Sequence, residues 1–401
     1  MLLNHLGIVC ALGNNAQHVW QAAVSGSRAG MVMSDLAINN GAAQIAGQVA
    51  DEALPSLSQL PAHMATRNNQ LAAAAYQQIQ DAVTQVKERY GAERIGVVIG
   101  SSTSGIREGE SALAHFQQHQ ELPEHFNYSM QEMSAPADYI AWAAGVTGPC
   151  YSISTACSSS ARALMSARNM LRANIVDAVI VGGVDSLCRL TLNGFAALES
   201  TSSGYCQPFS KNRDGINIGE GAALFLATRE LLGTNTKAVE LAGAGHSSDA
   251  YHMTAPEPAG RGAIAAISAA LAEANITAAE LDYINLHGTA TPLNDAMESR
   301  AITIIGAAQV PASSTKAITG HTLGAAGAIE AALCWLALTE NTGELPLHVW
   351  DGEVDADLPP IQLHQHQQPG MPLRYCLSNS FAFGGNNVAL VLSRKPTGDS
   401  N

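Results

Sequence analysis

Three residues far apart in the chain carry side chains suited to shared chemistry on an acyl group: Cys157, His287 and His321. Cys157 lies in Ser154-Thr155-Ala156-Cys157-Ser158-Ser159-Ser160, where an extended segment ends and small residues open a helix. A helix N-terminus offers partial positive charge and free N–H groups, which favour a thiolate and can hold an oxyanion. A buried structural cysteine at a helix start is the competing reading. His287 stands in LHGTATP directly after the strand-like DYINL, and His321 in TGHTLGAAG just before a Gly/Ala-rich helix. Each has a plain alternative as a satisfied core histidine. Together, a thiolate and two imidazoles on turns suit acyl transfer followed by stabilisation of an enolate, a step served by hydrogen-bond donors.

Two further features belong beside them. Lys316 precedes His321 by five residues, and Glu330 follows Lys316 by fourteen, about four helical turns on. Lys316 is read either as a solvated loop residue or as a partner of Glu330 that orients His321. Asn379 to Asn387 (NSFAFGGNN) reads as an apolar flap whose Gly-Gly lets backbone N–H groups approach a ligand, or else as a glycine turn before a strand.

Elements must bring these positions together. Arg94–Gly100, Asp177–Gly182, Asp282–Leu286 and Asn387–Leu392 read as buried strands, and Leu71–Tyr90, Ser158–Ala173, Gly262–Ala274 and Gly324–Thr339 as helices. Strand–helix alternation predicts an α/β protein with helices on both faces of its sheets. A faint internal echo predicts two halves. In each, a short extended segment leads to a reactive turn and a small-residue helix, SIST into Cys157 and PASSTKAITGHTLG into His321. The halves are expected at residues 1–235, with the nucleophile, and 236–401, with both histidines; the polar stretch Thr228–Lys237 joins them.

Composition agrees. The 401 residues are 47% hydrophobic and only 13% charged, against about 25% in an average chain, which excludes disorder and coiled coil. Net charge is −14 with no basic run, so nucleic-acid binding is set aside. The seven cysteines are scattered without a C-x-x-C pair, which predicts a reducing, cytoplasmic setting and no structural zinc. The His-rich QLHQHQQ at Gln362–Gln368 reads as a solvated loop, no metal site is expected, and no apolar run reads as a membrane span.

The motifs in this order resemble the β-ketoacyl-acyl-carrier-protein synthases, decarboxylating condensing enzymes with the thiolase fold. TACSSS is similar to the nucleophile motif, LHGTATPLND to the first histidine motif, STKAITGHTLGAAGAIE to the lysine–histidine motif, and NSFAFGGNN to the C-terminal flap. The resemblance implies a thiolase-like fold, duplicated into five layers, α-β-α-β-α. It implies that Cys157 takes an acyl chain from a thioester, and that His287 and His321 donate hydrogen bonds to a malonyl thioester as CO2 leaves. Lys316, held by Glu330, would orient His321. The Cys157 and Phe383 N–H groups would form a second oxyanion hole, Phe383 would gate the acyl pocket, and Thr289 and Thr291 would hold the pantetheine arm. Cys-His-His points to elongating synthases, away from initiating synthases and thiolases that condense without losing CO2; a cysteine hydrolase is disfavoured because small and apolar groups around the site exclude the water it needs. No resident cofactor is implied, because phosphopantetheine comes on an acyl carrier protein. The assembly implied is a homodimer or a heterodimer with a related ketosynthase-like chain, and a non-catalytic chain-length subunit is the alternative role. Ala382 stands where these relatives usually have Gly, and of their carrier-facing basic residues Arg67 is the main survivor.

Overall fold

A computed structural model describes residues 1–401 except 37, 39–40, 42, 234–238, 368–369, 371 and 395–401. Ten strands form its main sheet: β1 (Leu2–Cys10), β2 (Ile95–Gly100), β3 (Cys150–Ile153), β4 (Ala178–Asp185), β5 (Gly221–Thr228), β6 (Val239–Ser248), β7 (Tyr283–Asn285), β8 (Ala312–Ser313), β9 (Tyr375–Ala382) and β10 (Asn386–Arg394). Their spatial order is β8-β7-β9-β10-β6-β1-β5-β4-β2-β3. Split at the β6–β1 contact, this is one pattern used twice, 3-2-4-5-1 and 8-7-9-10-6. Pair orientations repeat as well. β3–β2 and β2–β4 are parallel while β4–β5 and β5–β1 are antiparallel. β8–β7 and β7–β9 are parallel while β9–β10 and β10–β6 are antiparallel. The halves join through Leu2 and Leu3 of β1, paired with Glu240 and Val239. The expected 235/236 boundary falls outside the described residues.

Seven helices build the layers around these strands: α1 (Arg67–Gln77), α2 (Gln80–Tyr90), α3 (Ala135–Ala144), α4 (Ser159–Arg172), α5 (Arg261–Ala274), α6 (Pro292–Ile304) and α7 (Ala326–Glu340). Strand alternation sends Val97 and Ile99 outward to Leu71, Val83 and Ile140, and Val98 inward to the central layer. In β10, Val388, Leu390 and Leu392 face inward, while Ala389 and Val391 meet Ile267 and Ile302 outside. Both faces of each half are covered, so the strands read as unbroken apolar runs. Helices α4 and α7 fill the central layer. This is the expected five-layer α-β-α-β-α arrangement.

Helix α7 is apolar all round because it is packed all round; Ala326 to Leu338 are all buried. The 18 residues Leu323–Glu340 are long and apolar enough to cross a membrane, but 89% of them are buried inside the protein, which makes this a core helix. Small residues let α4 and α7 approach closely, and the Ala328 N–H donates to Ser160 Oγ at 2.8 Å. Gly183 of β4 is required here: a Cβ would stand 2.5 Å from that of Ser160.

Two expectations change. Leu71–Tyr90 is two helices, because the Gln78 carboxamide leaves the helical path to bond both the N–H (3.2 Å) and C=O (3.0 Å) of Ile8 in β1. The QLHQHQQ stretch is more than a solvated loop. Ala312 N–H donates to Gln362 C=O (2.9 Å), and His364 N–H donates to Ala312 C=O (2.8 Å), so this segment closes the β8 edge.

Candidate active site

Every reactive candidate stands just past the carboxyl end of a parallel strand, the usual place for a site in such sheets. Cys157 follows β3, His287 follows β7, and Lys316 and His321 follow β8. Each turn holds one non-glycine residue in the left-handed region: Ala156 (φ 52°), Ala290 (φ 61°) and Leu323 (φ 51°). Such a residue costs on the order of 1 kcal/mol, so these turns persist because their surroundings hold them. Hydroxyls tie down the first. Ser159 Oγ accepts from Thr155 N–H (2.9 Å) and donates to Ala156 C=O (2.6 Å).

The three side chains meet in one buried chamber. His321 Nε2 is 3.0 Å from Cys157 Sγ, the two imidazole rings are 5.6 Å apart and nearly perpendicular, and one ligand atom from each of the three residues lies within 4.8 Å of the others. The ring protonation follows from the neighbours. Leu323 N–H donates to His321 Nδ1 (3.3 Å), which leaves the ring proton on Nε2, facing the chamber. The Lys316 ammonium spends its three N–H bonds on Glu330 Oε1, the His287 carbonyl (2.5 Å) and His287 Nδ1 (3.4 Å), which puts the His287 proton on Nε2 as well. Burial, then the Lys316 charge, hold both imidazoles well below the usual histidine range, so they are neutral donors at neutral pH. A cation wants lone pairs, whereas this chamber presents two N–H groups beside an ammonium. The set fits an oxyanion, although a thiol and two imidazoles this close could otherwise be taken for metal ligands.

Lys316 therefore braces His287, and the expected contact with His321 is replaced. β7 and β8 are neighbours in the sheet, so the turns after them lie side by side. Glu330 does hold Lys316, as the spacing suggested; burial lifts its carboxyl to about 7 while Lys316 pulls it back. The expected resting thiolate is also revised. Burial pushes the Cys157 thiol up to about 11, against the lowering pull of Lys316 and the Phe383 and Cys157 N–H groups. Regular α4 begins only at Ser159, and desolvation of the sulfur outweighs that pull.

Phe383 is half-buried with its ring 5.6 Å from that of Phe195, whereas Phe381 is a core residue on β9. The flap is pinned: Gly384 N–H donates to Met253 C=O (2.8 Å) and Asp249 N–H to Gly385 C=O (2.9 Å). Ala382 has ordinary extended backbone, and the left-handed positions are Gly384 and Gly385. A cavity of about 330 Å³ opens from this turn to Cys157, lined by both histidines, Thr289 and Thr291, whose hydroxyls lie 2.8 Å apart. Arg67 is not a carrier contact. It is buried, with Nη2 2.6 Å from Glu220 and Nη1 2.6 Å from Asp51.

Sequence reasoning missed the buried acids that hold these turns. Glu298 accepts the His287 and Gly288 N–H groups (2.8 and 2.7 Å), and burial lifts it to about 7. Asp185, raised by burial, accepts from Ser102, Thr103 and Gly324 N–H groups and so ties the first half to the His321 turn. Acids inside apolar segments of so sparsely charged a chain were the available signal.

The chain is similar along its whole length to known proteins. Residues 6–231 match the family model for the β-ketoacyl synthase N-terminal domain, and 238–349 the model for the C-terminal domain. A 3-oxoacyl-[acyl-carrier-protein] synthase 2 from Vibrio harveyi is 32% identical over 98% of both chains. Among solved structures, a chain of the complex of the ketosynthase ApeO with its chain length factor ApeC from Xenorhabdus doucetiae is 43% identical. It covers 98% of both chains with a TM-score of 0.91. A type II polyketide acyl-carrier protein in complex with its ketosynthase contains a chain 26% identical, at TM-score 0.84, over 98% of this chain and 99% of that one. Two reactive turns of a duplicated thiolase-like fold, converging on one chamber, thus place this chain in the β-ketoacyl synthase family.

Proposed function

We propose that this chain is the catalytic subunit of a decarboxylating 3-oxoacyl-acyl-carrier-protein synthase. One observation carries the reading: Sγ and two inward-facing Nε2–H groups share a chamber small enough for a single thioester. Cys157 Sγ attacks the acyl thioester carbonyl while the Cys157 and Phe383 N–H groups hold the oxyanion. The C–S bond to pantetheine breaks, and the thiol proton leaves with the pantetheine sulfur. A malonyl thioester then places its carbonyl oxygen between His287 and His321. CO2 departs, the electron pair of the broken C–C bond becomes an enolate held by both donors, and its carbon attacks the Cys157 thioester. The 3-oxoacyl product leaves, and the Cys157 thiolate takes up one proton. Lys316 and Glu330 position His287, Thr289 and Thr291 hold the pantetheine arm, and Phe383 gates the acyl pocket.

Phosphopantetheine arrives on an acyl carrier protein, and no resident cofactor is needed. The assembly proposed is a pair with a second ketosynthase-like chain, in the cytoplasm, within a fatty-acid, specialised lipid or polyene pathway. Two observations support a partner. The solved complex that contains the 43% identical chain pairs a ketosynthase with its chain length factor. The outer side of β3 is bare, with all four residues half-buried, while Leu113, Phe116 and Tyr128 stand exposed. A non-catalytic chain-length role fits less well, because the nucleophile is in place with its donors. Incubation with acyl-carrier and malonyl-carrier proteins should give an acylated Cys157, CO2 and the 3-oxoacyl carrier. A Cys157→Ala protein that still condensed acyl chains would overturn the reading.

A further inference from the structure

Asp185 ends β4 fully buried, and its two oxygens divide their bonds between the two halves of the molecule. Oδ1 accepts from the Ser102 and Thr103 N–H groups and from the Ser101 and Thr103 hydroxyls, each at 2.8 Å. Oδ2 accepts from Gly324 N–H (2.5 Å) and Ala325 N–H (3.2 Å), in the turn that carries His321. Helix α7 begins just beyond, and no side chain of its own segment caps it. A carboxylate from the other half therefore supplies the cap and meets the positive end of the helix. The approach is close enough to demand glycine: a Cβ on Gly324 would stand 2.8 Å from Oδ2. Leu323, next to it, is held in the left-handed region at φ 51°, and its N–H is the donor to His321 Nδ1 (3.3 Å).

We infer that Asp185 is a positioning residue for CO2 release, acting through His321. The inference rests on the condensing reading above. Left to itself, Leu323 would leave a backbone conformation that costs on the order of 1 kcal/mol. With the next two N–H groups fixed on a buried carboxylate, its own N–H stays aimed at Nδ1, and the ring proton stays on Nε2, facing the chamber. Asparagine at this position has only one accepting oxygen. Turned one way it leaves Gly324 N–H alone without an acceptor, since Ala325 N–H also reaches Thr322 C=O (3.0 Å). Turned the other way it strands both Ser102 and Thr103 N–H. The amide therefore keeps its oxygen on the first half and sets its NH2 against Gly324, which pushes the His321 turn away. Released from Leu323, Nδ1 takes the ring proton, and the Nε2 lone pair turns to the Cys157 thiol.

The expected signature is a split between the two stages. Asp185→Asn should lower CO2 release from the malonyl thioester at least about tenfold, through loss of one oxyanion donor, while acylation of Cys157 stays within about threefold or rises. Nitrogen NMR of histidine-labelled protein, with His321→Gln to assign the signal, should show His321 Nδ1 bare in the unaltered chain and protonated in Asp185→Asn. Ser101→Ala takes one donor from Oδ1 and leaves Gly324 and Ala325 in place, so it should lower the unfolding midpoint without the split or the change in ring signal. If Asp185→Asn does not fold, Gly324→Ala decides, because it crowds Oδ2 from the other side and should give the same split. Equal falls in acylation and CO2 release, an Nδ1 signal that does not move, or the same split in Ser101→Ala overturns the inference. An unaltered chain that neither acylates Cys157 nor releases CO2 would instead overturn the condensing reading, and the ring signal would still judge Asp185.

Discussion

The two halves share one strand order and one set of pair orientations yet do different work. In the first, the turn after β2 carries Ser101 to Thr103, whose N–H and hydroxyl groups hold the Asp185 carboxylate. In the second, the matching turn after β7 carries His287, held from behind by Glu298. The turns after β3 and β8 both became reactive, one with a thiol and one with an imidazole. The edges differ too: β8 is covered by residues 362–364 of its own chain, while β3 is bare. One repeated scaffold thus carries a thiol in one half and two imidazoles in the other, the division that the proposed reaction uses.

The largest effects should separate the halves. Cys157→Ala should abolish acylation, a loss on the order of 1000-fold or more, read by the mass of the protein after exposure to an acyl donor. His287→Ala should keep acylation and lose CO2 release by on the order of 100-fold or more. If His287→Ala also fails to acylate, the division of labour is wrong. Next comes Lys316. Its replacement by Ala strands buried Glu330 and should cost about 3–5 kcal/mol in denaturant unfolding. Lys316→Met with Glu330→Leu should recover most of that stability while CO2 release stays low, since no ammonium then faces His287 Nδ1 to keep the ring proton on Nε2.

Acidity should divide the halves more gently. The Cys157 thiol, raised to about 11, predicts alkylation that climbs roughly tenfold per pH unit from about pH 7 to about pH 9. The imidazoles, neutral well below the usual histidine range, predict no protonation step in CO2 release near pH 6.5. Because their folded pKa values are depressed, the stability they lend is whole above about 6.5 and falls as pH drops below it. An imidazolium limb in the CO2 profile near 6.5 would contradict the lowering of both imidazoles by burial and Lys316. The smallest effect concerns the bare edge. Ile153→Lys should weaken partner association several-fold in native mass spectrometry.

Much of this was legible in the chain. Apolar runs such as RIGVVIG and NVALVL marked β2 and β10 within a residue or two, because strands covered on both faces cannot alternate with polar residues. TACSSS, LHGTATP and TGHTLG stood out as polar turns between apolar elements. Less legible was the Leu71–Tyr90 helix, unbroken in propensity and broken by a bond from Gln78 to Ile8, seventy residues away in sequence. The partner of Lys316 was misassigned for a similar reason: nearness in sequence favoured His321, while the pairing of β7 with β8 delivered His287.

The order of residues alone pointed to the strands and helices, the repeated half and the candidate thiol and imidazoles, since each rests on local pattern and residue type, and the resemblance that its motifs carry implied the five layers. Tertiary structure decided which nitrogen of each ring bears its proton, which histidine Lys316 supports, and that the sulfur rests as a thiol. Those properties depend on burial and on donors supplied by other strands, and a chain read one residue at a time has neither.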